Sequence, residues 1–213
     1  MIHLIKKDFL LIKRYLPLTV ILAFGIPLFV FWRVPAMMGF TAFMMTVIFT
    51  VYIPLQSVSL AETKYPKTTA LLCAAPYTRN AVVKARYIFL LILFAFCYLA
   101  YTILSLLVPQ INMLSAFDMI LTLLFFSIIF GIYIPMLYKL GFERIKYVMM
   151  IVLFVASFLL PSAVKLLANS SMDFSIFMNL PLPVSYAALI AVIFAAAAIS
   201  LSASIKIFQT KEL

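Results

Sequence analysis

Ionisable side chains are scarce in this sequence. Its 213 residues hold six carboxylates, one histidine and two cysteines, and 67% of them are apolar. The lone histidine, His3, leaves little room for metal or general acid–base chemistry. Cys73 and Cys97 show neither metal-ligand spacing nor a disulfide framework. The glycines are Gly25, Gly39, Gly131 and Gly141, and none precedes a lysine. The G-x-x-x-x-G-K-[ST] loop that cradles nucleotide phosphates is therefore missing, so the chain is not expected to hydrolyse ATP alone. With only 10% charged residues and a mean hydropathy of +1.22, a water-soluble enzyme, a nucleic-acid-binding domain and a disordered tail are all excluded. What remains is an integral membrane protein.

Long apolar runs are what the sequence has in quantity. About 20 apolar residues cross a hydrocarbon core roughly 30 Å thick. Six stretches qualify, at about 16–32, 37–58, 87–109, 117–138, 147–167 and 184–205. The runs are continuous rather than alternating, which selects helices over a β-barrel. The first is read as a retained span, because it is long, contains Pro17 and Pro27, and ends at Phe31-Trp32-Arg33 without a small-residue cleavage site. The expected fold is all-α: a single domain over 1–213 with six transmembrane helices. Prolines also fall within the spans at Pro54, Pro135 and Pro161, each a candidate kink.

The charges sort by side. Lys6, Lys7, Lys13 and Arg14 precede the first span. Lys64, Lys67, Arg79, Lys84 and Arg86 lie between the second and third. Lys139, Arg144 and Lys146 follow the fourth, and Lys206 and Lys211 close the chain. Of the 16 basic residues only Arg33 and Lys165 fall on the other face. Cytoplasmic segments hold the excess of Lys and Arg, so both termini are expected inside, and the net charge of +10 reports topology rather than nucleic acid. Tyr15, Trp32, Tyr87, Tyr138, Tyr147 and Tyr186 sit near span ends, where amphipathic rings favour the headgroup level.

No ionisable residue occupies the middle of a span. Ion-coupled transport and intramembrane proteolysis both need such groups, so neither is supported. Interior polarity is limited to hydroxyls such as Thr41, Thr46, Thr50, Thr102, Ser105, Thr122, Ser127 and Ser157. These are expected to bond back to their own helix or to a neighbour.

Two polar segments carry more information. Ahead of the first span, Ile2, Ile5, Phe9, Ile12 and Leu16 recur at helical intervals, with Lys6, Lys7, Lys13 and Arg14 elsewhere on the same winding. That pattern predicts an amphipathic helix at the inner leaflet, its cations among anionic headgroups. Between the second and third spans, about 59–86, Pro66 can open a short helix through Leu71 and Leu72, which Pro76 stops. Thr78 can cap a second helix that runs through Lys84 into the third span. A short helix held between two spans suits the docking of another protein, although an ordinary solvated loop has the same composition.

The order Glu62, Lys64, Leu71-Leu72, Pro76, Thr78-Arg79, Lys84 resembles the first cytoplasmic loop of ABC-2-type permeases. One departure is Lys64-Tyr65-Pro66-Lys67, which stands where that family has a glycine-containing turn. The compact form is similar to the permeases of phenol-soluble modulin (Pmt-type) peptide exporters. The resemblance implies an N-terminal elbow helix and a cytoplasmic coupling helix around Leu71 and Leu72 that enters an ABC ATPase. Glu62, Arg79 and Lys84 would lie at its hinge. It also implies ATP and Mg on that partner, no cofactor in this chain, a second permease copy, and export across a bacterial cytoplasmic membrane. Amphipathic peptides suit an interior of Phe, Leu, Ile and Met; lipids and hydrophobic antibiotics suit it nearly as well. A non-transporting assembly or sensor protein stays open as a different class. If the six-span topology is right, a cysteine at Arg144 should react with a membrane-impermeant thiol reagent only from the cytoplasmic side. Labelling in intact cells would overturn it.

Overall fold

The structure is a computed structural model that describes residues 2–33, 39–64, 79–111, 113–169 and 182–210. Among the described residues there are seven helices and no strand. They are α1 (Ile2–Leu11), α2 (Leu16–Arg33), α3 (Phe40–Lys64), α4 (Arg79–Leu107), α5 (Ala116–Leu140), α6 (Phe142–Asn169) and α7 (Leu182–Thr210). By length and composition five of them can cross a membrane: α2, α3, α4 from Asn80, α5, and α7 over Tyr186–Gln209. The protein is thus a multi-pass, all-helical membrane protein. The helix α6, 28 residues long, runs over the fifth apolar stretch of the sequence.

Local chemistry sets the helix ends. Gly39 takes a positive φ of 88°, and its carbonyl accepts the Phe43 N–H at 3.0 Å, starting α3. Ser115 caps α5, its hydroxyl accepting from the Phe117 N–H at 3.3 Å, and Asp118 lies in the first turn where an anion complements the helix dipole. Gly141, with φ 81°, ends α5 through its N–H to the Leu137 carbonyl, and α6 begins at the next residue. The polar segment expected after the fourth span is therefore a one-residue break. Its Lys139, Glu143, Arg144 and Lys146 lie on the two helices that flank it.

The helix α3 is the central element, packed against α2, α4, α5 and α6. It is buried along most of its length, with Phe43 meeting Phe94, Tyr98 and Tyr101 of α4 at ring distances of 6.0, 6.3 and 5.4 Å. By contrast α2 and α7 bury little, leaving Ile21, Phe29, Phe194 and Ile199 facing outward. Such surface is stable only in lipid or against another apolar partner. Four of the eight named interior hydroxyls bond back along their own helices, as expected: Thr46 to the Ala42 carbonyl, Thr102 to Tyr98, Ser105 to Thr102 and Thr122 to Asp118.

Two tyrosines depart from the headgroup expectation. Tyr138 is 8% exposed, its ring 4.9 Å from that of Phe208 on α7. The Tyr87 hydroxyl turns into the bundle, 2.6 Å from the Ser200 hydroxyl and 2.8 Å from that of Ser204. Trp32 and Tyr147 stay exposed, at 75% and 66%. Tyr87 is held inward by its hydroxyl partners on α7, and Tyr138 by ring packing against Phe208.

The α5–α7 contact is the most extensive in the bundle. At its centre the Ser200 hydroxyl donates to the Gly131 carbonyl at 2.5 Å. A Cβ on Gly131 would stand 3.4 Å from both Cβ and Oγ of Ser200, so the close approach depends on a small residue there. Gly131→Ala should be near neutral. Gly131→Leu should destabilise the bundle by about 1–3 kcal/mol, read as a lower melting midpoint in detergent.

Candidate functional site

Both helices bordering segment 65–78 outrun the apolar stretches that define them. The helix α3 continues past 58 to Lys64, and α4 starts at Arg79, about two turns ahead of the apolar run that opens at Tyr87. Residues such as Leu60, Ala61, Glu62, Ala81, Lys84 and Ala85 favour helix, so winding does not stop where hydrophobicity does. These extensions bring Glu62 and Arg86 face to face.

Arg86 is the largest fully buried side chain among the described residues, at 2% exposure. A guanidinium there needs compensating charge and hydrogen-bond acceptors. Its Nη2 donates to Glu62 Oε1 at 2.6 Å, its Nη1 reaches the Ser59 hydroxyl at 3.5 Å, and its Nε lies 3.8 Å from Asp8 Oδ2. Lys7 Nζ donates to the same Glu62 oxygen at 3.3 Å and sits 3.1 Å from Asp8 Oδ1. That last contact is an ion pair without hydrogen-bond alignment, since Asp8 Oδ1 has no hydrogen-bond partner. Two cations and two anions thus close a ring across α1, α3 and α4. Tyr133 and Tyr138 of α5 are both buried.

The ring explains the seating of α1. Its buried face is Leu4 and Asp8, continued by Ile12 just past its end, with Phe9 half-buried and edge-on to Phe89 of α4 at 5.2 Å. This stripe is turned slightly from the apolar stripe of the sequence, because the Asp8 carboxylate is drawn inward by Arg86. Lys6, Lys13 and Arg14 remain exposed, whereas Lys7 is held at the ring.

Of the expected hinge residues, only Glu62 joins the cluster. Lys64 and Lys84 are exposed, and Arg79 opens α4. Leu71, Leu72, Pro76 and Thr78 lie outside the described residues. The sequence reading missed Asp8 and Ser59, and took Arg86 only as a topological charge. A signal was present: Asp8 is the one acid in a helix whose other charges are basic, and Arg86 directly adjoins the third apolar run. Among the described residues no group of His, Cys, Asp and Glu could hold a metal ion.

Removing one member of a buried pair strands the other. Glu62→Gln should cost about 3 kcal/mol, because Arg86 loses its closest counter-charge, and adding Arg86→Met should recover part of that loss. Thermal unfolding of the purified chain in detergent checks both; additive losses would show that the two residues are not coupled.

A family model described as an ABC-2 family transporter protein matches residues 3–209. No curated protein and no solved structure matches the chain.

Proposed function

This chain belongs to the ABC-2 transporter family, and on that premise we propose that it is the membrane-spanning permease of an ATP-driven exporter. In this reading α6 is a sixth span, both termini are cytoplasmic, and α1 is the elbow helix at the inner leaflet. Lys6, Lys13 and Arg14 then meet anionic headgroups from its exposed side. The partner ATPase supplies nucleotide chemistry with its own ATP and Mg, in line with a sequence that has no phosphate loop. It docks on segment 65–78 through a coupling helix around Leu71 and Leu72.

One observation carries the reading: both helix ends that border this segment converge on the Glu62–Arg86 pair, whose guanidinium is buried and whose carboxylate is half-buried. A push on the segment would reach α3, the central helix, and α4 together. A second permease copy completes the transporter, with the outward apolar faces of α2, α6 and α7 available to lipid or to that copy. The cargo is an amphipathic peptide, favoured by a bundle whose interior offers aromatic and aliphatic surface with few polar groups. Lipophilic cargo, lipids or hydrophobic antibiotics, is the second reading, favoured by the same surface.

Changing Leu71 and Leu72 to Asp should abolish co-purification of an ATPase from the native membrane and the ATP-dependent uptake of a labelled amphipathic peptide into inside-out vesicles. Unchanged co-purification and turnover would refute the docking assignment. Uptake by the chain alone, driven by an ion gradient, would refute the exporter reading itself.

A further inference from the structure

The ring of Lys7, Glu62, Arg86 and Asp8 calls for an explanation beyond stability. A buried ion cluster is commonly no more stabilising than well-packed apolar side chains of the same volume. What it does confer is a single register, because each charge is shared. Glu62 Oε1 accepts from both Arg86 and Lys7, and Arg86 meets both acids. No member can leave without stranding another in an apolar surround, where Arg86 and Asp8 are 2% and 4% exposed at their side chains. Arg86 rather than lysine suits the position, since its planar fork reaches Glu62, Ser59 and Asp8 from one fixed group.

The ring also lies at the part of the molecule that an ATPase would move. It joins three helix segments that the chain alone would hold loosely: α1, the end of α3 and the start of α4. Apart from it, α1 is held by Leu4, Ile12 and the Phe9–Phe89 contact, while Leu10 and Leu11 point outward. Its charges cancel, so the three segments can shift together without carrying net charge toward the lipid.

We propose that this ring is a latch that fastens α1 to the two helix ends bordering segment 65–78, so that all three move as one body when the segment is pushed. Asp8 and Arg86 are its positioning residues. The N-terminal helix is then an arm of the moving device rather than a passive membrane anchor. The inference rests on the exporter reading for the source of the push, but the fastening itself does not.

The test uses the complex purified from its native membrane, with Cys73 and Cys97 changed to Ser and with Phe9→Cys and Phe89→Cys introduced. A short bis-thiol reagent joins the two positions in the nucleotide-free and the vanadate-trapped states. With the ring intact, yields should be equal in both states, and the joined complex should hydrolyse ATP within about twofold of the unjoined rate. In Asp8→Asn or Arg86→Met, the yield should be about threefold lower in the trapped than in the nucleotide-free state, as expected for loss of a coupled pair, and Arg86→Lys should retain only part of the trapped-state yield. A merely structural role would lower the yield equally in both states. That result, unchanged yields in both variants, or arrest of hydrolysis by the joined cysteines would each overturn the latch. Asp8→Asn keeps the shape of the side chain, so the test survives if Arg86→Met fails to fold. If no ATPase accompanies the chain, the exporter reading falls, and the fastening is read on the chain alone. There, an about threefold lower yield in both variants supports it, and an unchanged yield overturns it.

Discussion

A guanidinium buried at the junction of three helices is the constraint on which the rest of this arrangement depends. Arg86 cannot remain ionised in an apolar interior unless acids come to it, and the nearest lie on other elements. Glu62 reaches it only because α3 continues helically past its apolar stretch. Asp8 reaches it only if α1 folds back on α3 and α4 rather than lying freely on the bilayer. One desolvated charge therefore dictates the seating of the N-terminal helix and the geometry of both ends of the longest polar segment.

The remainder of the bundle is held by weaker and more distributed forces. In lipid the gain from removing apolar surface from water is largely spent at insertion, so helix association rests on packing and interhelical hydrogen bonds. The contacts follow that rule. Aromatic rings from α3, α4 and α5 interlock around Phe43, Phe94 and Phe126, and Gly131 lets α7 approach until Ser200 donates to a backbone carbonyl. Tyr87 ties α4 into the same seam through Ser200 and Ser204. Two groups of polar contacts thus stand out among the described residues, a neutral ion ring beside segment 65–78 and a hydroxyl seam between α4, α5 and α7, with single bonds from Tyr52 to the Lys146 carbonyl and from Gln209 to Asn80 besides.

Function follows from that division. The sequence has no phosphate loop and no ionisable residue at the middle of an apolar stretch. Family membership assigns it to membrane transport. The ion ring ties the last turn of α3, at Glu62, to α4 at Arg86. Ile21, Phe29, Phe194 and Ile199 give the bundle an apolar outer surface.

Hydrophobic run length alone located the helices: the stretches beginning near 16, 37, 87, 117, 147 and 184 each became a helix within a few residues of one edge or the other. Run length is a local property, and in a bilayer backbone hydrogen bonds must close within the segment, so little else can form. The family resemblance was legible too, through Glu62 and its downstream pattern. The start of α4 at Arg79 was legible in Thr78 as a cap, whereas the helical extension to Lys64, the inward turn of Tyr87 and Tyr138, and the recruitment of Asp8 were not. Each depends on what a side chain meets across a helix interface, and residues such as Asp8 and Arg86 are 78 positions apart in the sequence. Periodicity marks which residues share a face of one helix, whereas only packing decides which charges must be buried together, because the energy of a buried ion belongs to its partners.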